Sequence, residues 1–169
     1  MRLLGLDPGL RHTGWGIIEA EGSRLRHIGN GAVDSDGDRP LAERLLQLCE
    51  GIAQVIAEFG PAEAAIEETF VSVNAASTLK LGQARGAILL APARAGIPVS
   101  EYPANLVKKS LAGTGHAGKE QVAMMVRTLF PGCKLAGPDA ADALAVAVCH
   151  AHHAATRRIW EKAAAVGAR

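Results

Sequence analysis

A chain of 169 residues that is 49% hydrophobic has the apolar content for one packed domain, and a net charge of +1 gives it no strongly basic field overall. A polyanion would have to be gripped by a local cluster of Lys and Arg. Cys49, Cys133 and Cys149 are odd in number and lack C-x-x-C spacing, which argues against a disulfide framework and a zinc ribbon.

No apolar run approaches the ~20 residues that span a bilayer, and Asp7 interrupts the apolar stretch at the N-terminus, so the expected location is the cytoplasm. The first strand, Leu3-Leu4-Gly5-Leu6, ends in Asp7-Pro8-Gly9 and resumes as Thr13 to Ile18, a hairpin that presents a carboxylate at a strand end. Arg24 to Val33 reads as a third, antiparallel strand. The following Asp34-Ser35-Asp36-Gly37-Asp38 suggests a calcium loop, but its glycine falls one position early and Leu45 stands where a glutamate belongs. Asp38 is better read as a helix cap with Pro40 in the first turn.

Leu41, Leu45, Leu48, Ile52, Val55 and Phe59 recur at spacings of three and four, an amphipathic helix closed by Gly60-Pro61. Ala64-Ala65-Ile66 then reads as a buried parallel strand ending at Glu67-Glu68. A second helix runs from Asn74 to about Leu90, where Pro92 should kink or end it. Its Gly82 and Gly86, four apart, would let another backbone approach, in the core or across a subunit interface. Ile97 to Tyr102 reads as a fifth strand, and Pro103 to Leu111 as a short helix. The loop Gly113 to Lys119 lacks the spacing of a P-loop. Helices from Lys119 to Phe130 and from Pro138 onward complete the chain. The order βββαβαβααα implies an α/β domain, a five-stranded mixed sheet with three antiparallel strands, then parallel ones, and helices on both faces. Residues 1–158 form the expected domain, and 159–169 an alanine-rich tail.

The acids now fall into place. Asp7 ends the first strand and Glu67 the fourth, while Asp139 and Asp142 lie three apart on the last helix and share a face. Alone, Asp7 could be a turn acid and Asp139 a helix cap. Asp142, within Ala-Ala-Asp-Ala-Leu-Ala, would be a costly buried acid without a partner. Converging carboxylates repel, and such a cluster persists if cations fill it. Oxygen-only ligands select Mg²⁺ or Mn²⁺. Two such ions ~4 Å apart could hold the attacking water and the leaving oxygen of an in-line phosphoryl displacement. Glu68 reads as a solvated neighbour facing the other side of the strand. His150, His152 and His153 read as partners of a helix C-terminus, Arg157 and Arg158 as the end of a solvated helix, and His116 as a group that could reach DNA or a catalytic water.

Four blocks, Leu6-Asp7-Pro8-Gly9, Ala65-Ile66-Glu67-Glu68-Thr69-Phe70, Asn74 to Gly86 and Asp139-Ala140-Ala141-Asp142-Ala143-Leu144-Ala145, occur in this order and closely resemble the RuvC family of crossover junction endodeoxyribonucleases. The likeness extends from Arg2 to about His153. It implies a ribonuclease H-like fold and a homodimer that resolves Holliday junctions by Mg²⁺-dependent nicks in two opposed strands, leaving 5′-phosphate and 3′-hydroxyl ends. By that resemblance Asp7, Glu67, Asp139 and Asp142 bind the metal, Lys108 and Lys119 form the rim of the active site, and Phe70 lies near the junction point. The branch-migration proteins RuvA and RuvB are the implied partners. A ribonuclease H-like nuclease acting on RNA would share the acids, and a junction-binding module would dispense with them.

Overall fold

Alternation along the first strand decides how the molecule is layered. In β1 (Arg2–Asp7) Leu4 and Leu6 point to one face of the sheet and Leu3 and Gly5 to the other, and the three leucines are fully buried. β1 is therefore central. The computed structural model describes residues 1–68 and 74–167, without the side chains of 155–167. β2 (His12–Glu21) and β3 (Arg24–Asp34) pair antiparallel beside β1, joined by the two-residue turn Gly22-Ser23, with Gly22 in the left-handed region at φ 59. β4 (Glu63–Glu67) and β5 (Val99–Tyr102) pair parallel on its other side, giving the order β3-β2-β1-β4-β5. This is the mixed sheet that the element order implied.

Helices α1 (Leu41–Phe59) and α2 (Ala75–Arg94) cover one face, closing Leu48, Ile52 and Ile88 over Leu4, Leu6 and Ile66. On the opposite face α3 (Ala104–Ala112), α4 (Lys119–Leu129) and α5 (Pro138–Gly167) bury Val107, Val126 and Leu144 against Leu3, Ile18 and Ala65. α5 continues through most of the stretch expected to be a tail. Among the described residues no helix is long and apolar enough to cross a membrane.

The sheet under α5 is paved with glycine. A Cβ on Gly5 would overlap the carbonyl oxygen of Ala143, and one on Gly14 the carbonyl oxygen of Asp139. On Gly16 it would come within 2.7 Å of Leu144 Cγ. Helix backbone thus rests almost on sheet backbone, which only residues without side chains allow. The alanines of α5 follow from the same geometry, since Ala140, Ala141, Ala143, Ala145 and Ala147 are all buried.

Three local expectations need correction. Asp38 does not cap α1: Pro40 occupies the cap position at φ −52, ψ 147, two residues too late for the Asp38 carboxylate, and the Asp38 N–H donates to Asp36 Oδ1 instead. Pro92 does not end α2 either. It sits in the last turn, where a missing N–H costs a single bond, and its own carbonyl accepts the Ile97 N–H at 2.9 Å. Nor do Gly82 and Gly86 serve close packing among the described residues, none of which lies within 4 Å of a Cβ built on either.

Candidate active site

Parallel pairing of β1 and β4 sets Leu6 opposite Ile66, so Asp7 and Glu67 leave neighbouring strand ends side by side. α5 crosses above them, and its first two turns bring Asp139 and Asp142. With Gly137 O accepting the Ala141 N–H at 3.2 Å, Asp139 lies inside the first turn and is not the cap. Asp7, Glu67 and Asp142 line a cavity of about 150 Å³ with Lys108 of α3 and Lys119 of α4 over an apolar floor that includes Val107. Asp139 stands close enough to Asp7 to act on its charge.

The electrostatics of this cavity are those of too many carboxylates. Burial, then the charges of Glu67, Asp142 and Asp139, push the Asp7 carboxyl from its ordinary 3.8 up to about 8, against a smaller opposing pull from Lys119. Glu67 is raised by burial and by Asp142. Asp142 is raised by burial although Lys119 Nζ stands 3.4 Å from its Oδ2. Two lysines do not neutralise four acids. Among the described residues no three His, Cys, Asp or Glu side chains are gathered closely enough to hold one ion as they stand. The donor set itself, all carboxylate oxygen and short of positive charge, suits a hard divalent cation.

Other candidates fall outside the cavity. Glu68 is half-buried, with its N–H on Tyr102 O. His116 is exposed and lines no part of it. The three histidines of α5 do not meet a helix C-terminus, since the helix runs on for more than ten residues. His150 is instead buried, with Tyr102 Oη 2.9 Å from Nδ1 and Glu63 Oε2 2.9 Å from Nε2, while His153 stacks on Tyr102. Phe70 and the side chains of Arg157 and Arg158 lie outside the described residues.

Two residues that position the site escaped the sequence reading. Arg85 of α2 donates to Glu67 O at 3.3 Å and pairs with Glu101, which ties down the end of β4. Asn30 of β3 reaches the loop before α5: its Nδ2 donates to Lys134 O at 3.0 Å, and its Oδ1 accepts the Ala136 N–H at 2.8 Å. The only trace of Asn30 in the sequence is an amide set between glycines in a strand. Asn30→Ala removes both of these exposed hydrogen bonds, so a loss of about 1 kcal/mol in urea unfolding is expected, together with a several-fold lower rate of any reaction at the carboxylates as Asp139 loses its anchorage. Unchanged stability and rate would show that the loop needs no clamp.

With the carboxylates placed, comparison with known proteins becomes informative. A family model described as crossover junction endodeoxyribonuclease RuvC matches residues 3–150. The chain belongs to the RuvC family. The crossover junction endodeoxyribonuclease RuvC of Paramagnetospirillum magneticum is 64% identical over 98% of this chain and 99% of its own length. That of Rhodospirillum rubrum is 59% identical over 92% of each. Among solved structures, Thermus thermophilus RuvC in complex with a Holliday junction substrate superposes with a TM-score of 0.84 at 38% identity, covering 92% of this chain and 96% of that one. The yeast mitochondrial Holliday junction resolvase Ydc2, at 12% identity and a TM-score of 0.63, shares the fold. The sheet order and its flanking helices are the ribonuclease H-like architecture of the RuvC family.

Proposed function

We propose that this protein resolves four-way DNA junctions by paired, metal-dependent nicks in opposed strands. The observation that carries the reading is the meeting of Asp7, Glu67 and Asp142 with Lys108 and Lys119 around one cavity, in a chain of the RuvC family. Asp7, Glu67, Asp139 and Asp142 would hold Mg²⁺, or Mn²⁺ in its place, with two ions per site. When bound, the metal supplies an acidified water and positive charge at the phosphate. The chain's own part is to keep four acids close in a partly buried site and to hold two lysines at the rim, where a phosphate arrives. Hydrolysis would leave 5′-phosphate and 3′-hydroxyl ends. Incubation with a synthetic four-way junction, plain duplex and an RNA–DNA hybrid, in Mg²⁺ and in EDTA, tests this. Preference for the hybrid would identify an RNA-directed nuclease, and tight junction binding without cleavage a binding module.

Two opposed cuts ask for two sites related by a twofold axis, hence a homodimer. α2 offers the surface. Leu79 and Leu90 are 65% and 56% exposed, and they share a helix face with the uncovered Gly82 and Gly86. An apolar row with a flat middle suits an isologous contact. Sedimentation at micromolar concentration should show a dimer, and Leu79→Glu with Leu90→Glu a monomer that no longer makes paired cuts. A dimer untouched by both changes places the contact elsewhere.

Phe70, three residues beyond Glu67, is proposed to stack on a base unpaired at the crossover, a contact worth ~1–3 kcal/mol. Phe70→Ala should then lower junction cleavage roughly tenfold, while Phe70→Trp keeps most of it. An alanine variant that cuts junctions normally but melts several degrees lower would assign Phe70 to the core. Work on chromosomal junctions implies the cytoplasm and contact with RuvA and RuvB, which co-precipitation on junction DNA would test.

A further inference from the structure

A second depression adjoins the acid cavity on the far side of Lys119 and Asp142. It has a volume of about 380 Å³ and runs between α4 and the start of α5. That is within the ~300–1,000 Å³ of small-molecule sites. Along one wall Lys119, Ala123 and Arg127 follow one another at intervals of four on a single helix face, placing the two cations ~12 Å apart along the axis. The other wall is apolar or small, with Leu135, Pro138 and Ala141. The lining acids, Glu120 and Asp142, both lie at the Lys119 end. Arg127 is exposed and makes no ion pair among the described residues, although Arg26, Arg39 and Arg85 each find a carboxylate.

We infer that this groove carries the cut strand away from the active site, with a nucleotide lying on its apolar wall and a phosphate beyond it, one or two steps from the cut, held by Arg127. The inference rests on the junction-cleaving reading and adds a path to it. The arrangement is that of a sequence-tolerant strand track: a cation at each end for phosphates, and between them a surface of small and apolar side chains that accepts a sugar and the face of any base. The planar fork of Arg127 suits two oxygens of one phosphate. Its distance from the acids keeps it clear of the bond being broken, so Arg127 acts in binding and register.

The test neutralises the two partners separately. Junctions are made with one methylphosphonate at a time in the cut strand, within three nucleotides of the cleaved bond on either side, and binding to wild type and Arg127→Ala is measured in Ca²⁺ over a salt series. For wild type, neutralising one phosphate on one side of the cut is expected to weaken binding roughly fivefold. Arg127→Ala should weaken the unmodified junction equally and reduce the slope of log affinity against log salt by about one. That same methylphosphonate should then cost the variant nothing more. Arg127→Lys should recover part of the loss, and thermal melting should be unchanged for both variants of this exposed residue. If Arg127→Ala binds like wild type, or its loss adds to that of every methylphosphonate, the groove is not the strand path, while junction cleavage stands. A wild-type protein that neither binds nor cuts the junction overturns both.

Discussion

Asp7→Asn is expected to reduce junction cleavage below detection, to leave junction binding intact or tighter, and to raise the melting temperature of the metal-free protein at neutral pH. The last effect separates a metal ligand from a structural acid. The folded-state pKa of Asp7, about 8, lies above its ordinary value of 3.8. Its contribution to stability is therefore full below pH 3.8 and is lost as pH rises through about 8. Above that range the carboxylate is held ionised in a partly buried site beside three others, which asparagine relieves. Removing the charge also lessens repulsion of phosphate, hence the unimpaired binding. The same sign governs the wild type: metal-free melting temperature should fall by a few degrees between pH 6 and pH 9, and Mg²⁺ should restore most at the alkaline end. Calorimetry of both proteins with and without Mg²⁺ measures this. An Asp7→Asn protein that melts lower than wild type at every pH would mean that the carboxylate holds the fold together.

Lys119→Ala should slow cleavage by a factor of ten or more with little change in stability, because a positioned cation contributes a few kcal/mol (~2–4) where charge develops in a transition state. The ammonium is 74% exposed and its present partner is Asp142. It is a mobile charge at the rim, free to exchange that carboxylate for an arriving phosphate. Alanine also frees Asp142 Oδ2 from an ammonium that now competes with and repels a divalent cation, so the variant should need less Mg²⁺ to reach half its lowered maximal rate. Lys119→Arg should keep part of the activity, and Lys108→Ala should show a comparable loss. Rates and salt dependence like those of wild type in both alanine variants would make these lysines solvated bystanders.

What the sequence showed and what it hid divide along a physical line. Strand alternation around Leu3 to Leu6, the 3.6-residue period of Leu41 to Phe59 and the acids at strand ends are local patterns, and the structure reproduces them. The failures concern partners far away in the chain. Nothing near Asn30 reveals that it will hold residues 134 and 136. The neighbours of His150 similarly conceal Tyr102 and Glu63, so a helix end was the nearest explanation. Pro92 illustrates a weaker rule: proline breaks a helix where the lost bond lies inside it, and here only the last turn was at stake.

The bed of Gly5, Gly14 and Gly16 has a consequence for how this enzyme could vary. Alanine repetition usually marks sequence that tolerates exchange, yet Ala143 and Ala147 lie where even one methyl group opposite, on Gly5, has no room. Enlarging either partner would lift α5 as a lever, and Asp139 and Asp142 ride on that lever while Asp7 and Glu67 stay with the sheet. Small substitutions in this least conspicuous part of the chain would therefore uncouple the two halves of the acid set before they unfolded the protein. In a library of random variants, the inactive but well-folded members should concentrate along this seam.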